Sequence, residues 1–165
     1  GIVHARGEAI HQLVAIKIIC IGKKHEDWVR SGVDRYQKRL KKPFDLEWTL
    51  LPHALSDEQA ARRDESSEIM KKLSDSAFVI LLDERGKSYS SPQFTDILLQ
   101  SLDYSRPVVI VIGGAYGVDK TLHDRADMTL SFSSLVFPHQ LVRLMITEQL
   151  YRAQEIAAGR PYHHS

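Results

Sequence analysis

VVIVIGGAYGVDK, residues 108–120, decides the fold class. Val108 to Ile112 is an unbroken β-branched run with no polar alternate position, which reads as a strand buried on both faces. Gly113 and Gly114 end the run, and a short helix is expected from Lys120. A strand with no polar side belongs in a parallel sheet covered by helices, so further strand–helix alternation should flank it.

It does, in both directions. Upstream, Leu13–Ile21 reads as a strand closed by Gly22, and Phe44–Leu51 as a second, alternating one that ends at Pro52. Phe78–Leu82 is a third strand, wholly apolar. Between them, Trp28, Val29, Val33, Tyr36 and Leu40 recur at helical spacing over Asp27–Lys41, with Pro43 as the stop. A polar helix is expected from Ser56 to about Leu73, with Ser56 as N-cap and Gln59 three residues on. Another opens at Ser91, with Pro92 at its first helical position. Downstream come a strand, Met128–Phe132, and a long helix from Pro138 to about Ala158, ended by Gly159. The expectation is a single α/β domain over residues 13–165, a mostly parallel sheet with helices on both faces. Residues 1–12 precede it without periodicity and read as a leader or loose arm.

Composition agrees. The chain has 165 residues, 43% hydrophobic and 26% charged, an ordinary globular balance. Cys20 is its one cysteine, so no intrachain disulfide forms and a reducing, cytoplasmic setting is expected. No apolar run approaches the ~20 residues that span a bilayer, and the start lacks the apolar core of a signal peptide. The net charge of +1 hides an asymmetry: residues 17–42 hold nine Lys/Arg against three acids, whereas residues 43–104 hold six against twelve. A basic lobe on a near-neutral protein suits a polyanion partner, and equally a solvated helix face.

The glycine turn fails two phosphate-binding patterns. It lacks G-x-G-x-x-G spacing and comes late in the chain. GAYGVDKT, residues 114–121, ends like a P-loop but places Asp119 where glycine is needed, and a carboxylate there would repel phosphate. The C-terminal tail gathers Arg160, Pro161, Tyr162, His163 and His164, a set suited to a phosphate and a stacked base. Adjacent His163 and His164 are poorly aimed for one ion, so no metal site is expected.

IGGAYGVD (112–119), LSFSSLVFPHQLVRLMITEQLYRA (130–153) and PYHH (161–164) together resemble the ribosomal RNA large-subunit methyltransferase H family of the SPOUT superfamily. Asp27-Trp28, Leu82-Asp83 and Gly86-Lys87 join the resemblance, which runs from about Ala15 to the C-terminus. It implies a deep C-terminal trefoil knot, and a homodimer that uses S-adenosylmethionine to methylate N3 of a pseudouridine in 23S ribosomal RNA, on the assembled ribosome. It places the cofactor against Leu82, Gly113, Gly114, Phe132, Ser133, Ser134, Leu135, Val136 and Phe137. It assigns Arg152, Tyr162 and His163 to catalysis, and no metal. A knotted methyltransferase of another RNA, such as a transfer RNA, and a non-catalytic ribosome-binding module remain the alternatives. On residues alone, Leu82, Leu135 and Phe137 read as core packing, and the i,i+4 pair Glu148–Arg152 as ordinary helix chemistry.

Overall fold

A computed structural model describes the backbone of residues 16–164 and the side chains of residues 16–162. The expected leader and the first three residues of the expected first strand lie outside the described residues. In chain order the elements are β1 (Ile16–Ile21), α1 (Asp27–Gln37), β2 (Leu46–Leu51), α2 (Glu58–Met70), β3 (Phe78–Ser88), α3 (Ser91–Asp103), β4 (Val108–Ile112), α4 (Lys120–Arg125), β5 (Met128–Ser131) and α5 (His139–Ala157), then a 3-10 turn over Pro161–His164.

The strands form one sheet in the order β2-β1-β4-β3-β5, and every neighbouring pair is parallel. Two-residue periodicity sorts the core. Ile16, Ile18 and Cys20 join Ile80, Ile110, Phe94, Leu98, Ile146 and Leu150 on the face covered by α3 and α5. Ile19 and Ile21 join Val79, Leu81, Val109, Val111, Ile69 and Leu122 on the face covered by α2 and α4. Val108–Ile112 is buried along its whole length, which is why its sequence has no polar alternate. Cys20 is buried, and burial pushes its thiol up to about 12, so it packs as a hydrophobe. Among the described residues, no helix is long and apolar enough to cross a membrane.

Strand β2 starts at Leu46 rather than Phe44, β5 ends at Ser131 rather than Phe132 and α2 ends at Met70 rather than near Leu73; four further boundaries differ from expectation, each for a local reason. The carboxylate of Asp57 accepts the Ala60 amide 3.0 Å away and caps α2, while the Ser56 hydroxyl turns to Asp64. In α3 the cap is Ser90, which exchanges bonds with Gln93, so Pro92 stands second in the helix, where its missing N–H still costs nothing. Helix α1 closes at Gln37 rather than Lys41, because the Arg39 and Leu40 amides turn to the carbonyls of Tyr36 and Gln37. Strand β3 runs six residues past Leu82: Asp83–Gly86 loops out, and Lys87 and Ser88 pair again with Leu130 and Ser131 of β5. Gly86 permits this because a Cβ there would collide with the backbone of Thr129.

Candidate active site

Because β4, β3 and β5 are adjacent and parallel, the loops at their carboxyl ends converge. They enclose a slot whose walls include Leu82, Gly113, Phe132, Ser133, Leu135, Val136 and Phe137, with Val142 from α5 closing one side. Seven of the nine expected cofactor residues therefore meet. Gly114 borders the neighbouring depression with Gly113, and Ser134 is an exposed residue of the loop that lines neither. The 132–137 loop is shaped by hydroxyls: Ser131 Oγ donates to the carbonyls of Glu84 and Ser133 at 3.1 and 2.9 Å, and the Leu135 amide donates to Ser133 Oγ at 3.1 Å. Leu135 and Val136 are left 69% and 78% exposed on the rim, apolar surface without a cover among the described residues.

Asp83, Glu84 and His139 edge the slot. Partial burial works to raise the Asp83 pKa, but hydrogen bonds from the Arg85 guanidinium and amide hold it below the usual carboxylate range. The His139 pKa is lowered, first by burial and then by the Arg143 charge, which favours the neutral ring. An apolar slot rimmed by fixed negative charge fits S-adenosylmethionine, whose adenine is flat and apolar-faced and whose sulfonium and ammonium are cationic. Among the described residues, no group of three or more His, Cys, Asp or Glu could hold a metal ion.

Two buried polar side chains shape the turns after β4 and β1, Glu65 against Gly114 and Arg143 against Gly22. A Cβ on Gly114 would strike the Glu65 carboxylate and crowd Ile21, so glycine here leaves room for a close approach beneath the loop; the positive φ of this turn falls on Gly117, at 77°. Glu65 is 5% exposed; its Oε2 accepts the Ala54 amide at 3.1 Å and its Oε1 is unpartnered. Arg143, 1% exposed, donates to the carbonyls of Ile21, Gly22 and Lys24 and pins the β1–α1 turn to α5. Local sequence does not mark Glu65, which stands in a polar helix, whereas Arg143 is a lone cation between Leu141-Val142 and Leu144-Met145-Ile146.

At the other end of α5 the tail folds back. Glu148 accepts from Arg152 Nη2 at 2.7 Å and from the Tyr162 hydroxyl at 3.0 Å, and the Arg152 guanidinium lies 4.8 Å from the centre of the Tyr162 ring. Burial, then the Glu148 carboxylate, raises the Tyr162 pKa, so the phenol stays protonated. The bond to Glu148 likewise raises the pKa of Arg152. Arg152 and Tyr162 are thus joined as expected, through a Glu148 that by spacing alone is half of an ordinary helix pair. The side chain of His163 lies outside the described residues.

Slot and tail together define the class of protein, and comparison with known proteins agrees. The family model described as predicted SPOUT methyltransferase matches residues 14–163. A methylase family protein from Neisseria gonorrhoeae shares the fold, with a TM-score of 0.50 at 11% identity over 83% of this chain and 81% of that one. The chain is 39% identical to the ribosomal RNA large subunit methyltransferase H of Geotalea daltonii over 90% of its length and 99% of that protein's. It is 41% identical to the enzyme of that name from Francisella tularensis subsp. novicida, over 90% of this chain and 98% of the relative. The chain therefore belongs to the ribosomal RNA large subunit methyltransferase H family, within the SPOUT methyltransferases.

Proposed function

We propose that this protein methylates N3 of a pseudouridine in 23S ribosomal RNA, in the cytoplasm and on the assembled ribosome, as a homodimer whose chains carry the superfamily's trefoil knot. The observation that supports the dimer is a separation. Val142 walls the slot and Arg152 anchors the tail, ten residues along one helix, which at 1.5 Å per residue is about 15 Å. Methyl transfer needs donor and acceptor atoms ~3–3.5 Å apart, so slot and tail of one chain do not serve the same event. A second copy supplies the missing half. Between slot and tail runs a groove lined by Phe94, Leu130, Phe132, Leu141, Leu144 and Met145, the apolar surface on which a copy would dock.

S-adenosylmethionine supplies, when bound, a methyl group already activated by its sulfonium. The chain's own work is placement and proton handling. Leu82, Leu135 and Phe137 exclude water around the adenine, and Asp83 offers charge to the cationic side. The tail addresses the base. Tyr162 stays protonated and orients it, Arg152 stabilises negative charge as the ring nitrogen loses its proton, and His163 accepts that proton.

Mixed dimers test this. A tail-deleted chain (residues 161–165 removed) and a Phe137→Asp chain should each be inactive toward ribosomes with methyl-labelled cofactor. Co-refolded, they should regain about a quarter of wild-type activity, since half of the dimers are mixed and each has one intact site. No recovery overturns the shared site, and label outside a 23S pseudouridine overturns the substrate.

A further inference from the structure

Where the loop between α1 and β2 meets the end of α5 lies a groove of about 550 Å³, separate from the slot and bordered by Arg160 at the start of the tail. Four cations border it, Arg39, Lys41, Lys42 and Arg160, against one carboxylate, Glu155. Glu155 is committed to Arg160, which donates to both of its oxygens. Among the described residues, Arg39, Lys41 and Lys42 have no acid partner, and all three are exposed.

These charges do not hang on a loose loop. Gln154, 8% exposed on α5, holds the loop with both ends of its amide: Nε2 donates to the Arg39 carbonyl at 2.9 Å, and Oε1 accepts the Lys41 amide at 2.7 Å. The Phe44 amide closes on the Lys41 carbonyl at 2.7 Å. A row of unpaired cations fixed at the backbone repels itself until an anion with repeated charge lies along it. The groove's inner wall adds Tyr151, whose ring meets that of Tyr162 at 4.9 Å, edge to face, and has the Arg39 guanidinium 6.0 Å from its centre. The groove thus runs from a cation row to the aromatic side of the tail.

We infer that this groove binds the phosphate backbone of single-stranded RNA beside the target nucleotide, with Tyr151 as a stacking face for a neighbouring base. The commitment to single strands follows from the wall. Tyr151 and Leu99, both half-buried, present aromatic and apolar surface, which unstacked bases use and an A-form duplex, its bases inside, does not. The inference rests on the RNA-methylating reading, and adds where the strand leaves the site.

The test measures binding of a labelled oligouridylate and of an RNA duplex of equal length across a salt titration. The triple variant Arg39→Ala, Lys41→Ala, Lys42→Ala removes exposed side chains and leaves the backbone bonds to Gln154 in place. For the single strand its log–log salt slope should fall by about 2, at ~0.7 for each phosphate no longer neutralised, while duplex binding is unchanged. On ribosomes the variant should raise KM and keep kcat. Lys71→Ala, across the sheet at the C-terminal end of α2, should change none of these. An unchanged slope, or an equal loss on duplex, overturns the groove as a single-strand site. Failure of the wild-type chain to methylate ribosomes overturns the enzymatic reading instead, whatever the slopes show.

Discussion

The Glu65 carboxylate lies where a Cβ on Gly114 would stand, so that a side chain there requires Glu65 to swing aside. The turn that borders the candidate cofactor site is thereby shaped from behind, by a buried acid, rather than by room reserved for a ligand.

That close approach predicts coupling. Gly114→Ala should destabilise the fold by about 1–3 kcal/mol through overpacking. Glu65→Ala should relieve part of this, so the double variant loses less than the sum of the singles in urea denaturation. Strict additivity would show that the two residues do not press on each other.

Arg143 predicts the larger loss. Its guanidinium serves three carbonyls at the β1–α1 turn. Arg143→Met would take this donor from the buried carbonyls of Ile21 and Gly22, while that of Lys24 keeps the Gln140 side chain. Each unsatisfied group costs ~1–3 kcal/mol, so a total near 3 kcal/mol is expected after relaxation, read as a shift in denaturation midpoint. Arg143→Lys should recover little, since an ammonium lacks the fork that reaches separate carbonyls. A change under about 1 kcal/mol for Met would mean that the turn is held by other means.

The tail should be separable from the slot. Removing residues 161–165 should leave cofactor affinity within about threefold by calorimetry, with methyl transfer falling steeply. His163→Ala should cost ~10²–10⁴-fold if the ring accepts the N3 proton, and the acidic limb of the pH–rate profile should flatten with it. A smaller, pH-independent loss would make His163 an orienting group, and full activity in the truncated chain would remove the tail from the site.

Acid sensitivity follows from two histidines. His25 and His139 both have pKa values below the ordinary 6.5, chiefly through burial and then through the charge of Arg143. The unfolded chain therefore binds more protons once pH falls below 6.5, so this stability is full above that value and is lost as pH drops through the folded pKa values. Thermal midpoints at about pH 7.5 and 5.5 should differ for wild type, and the gap should narrow in His25→Gln/His139→Gln. Carboxylates held low by partners, such as Asp83 and Glu155, act in a more acidic window and do not blur the result. An undiminished gap would assign the sensitivity elsewhere.

The sequence by itself determined the architecture and most of the slot. Val108–Ile112 and Phe78–Leu82 announce buried parallel strands because burial on both faces leaves no polar position, and periodicity is a local property of the chain. Leu82, Gly113 and the 132–137 loop were legible through their resemblance to a family, as was the choice of Arg152 and Tyr162, whereas their meeting through Glu148 was not. Only the tertiary structure decided the rest. The return of β3 at Lys87 depends on a neighbouring strand, and the cap at Asp57 on which of two adjacent side chains reaches the helix. Glu65 is one polar residue among many in its helix, and Arg143 a lone cation in an apolar stretch, until the fold buries them beneath glycines 49 residues downstream and 121 upstream. Arg39, Lys41 and Lys42 become a track only when Gln154, over a hundred residues later, fixes their loop. Contacts made at such separations leave no periodic trace, because each is set by where two elements come to rest rather than by the spacing along either.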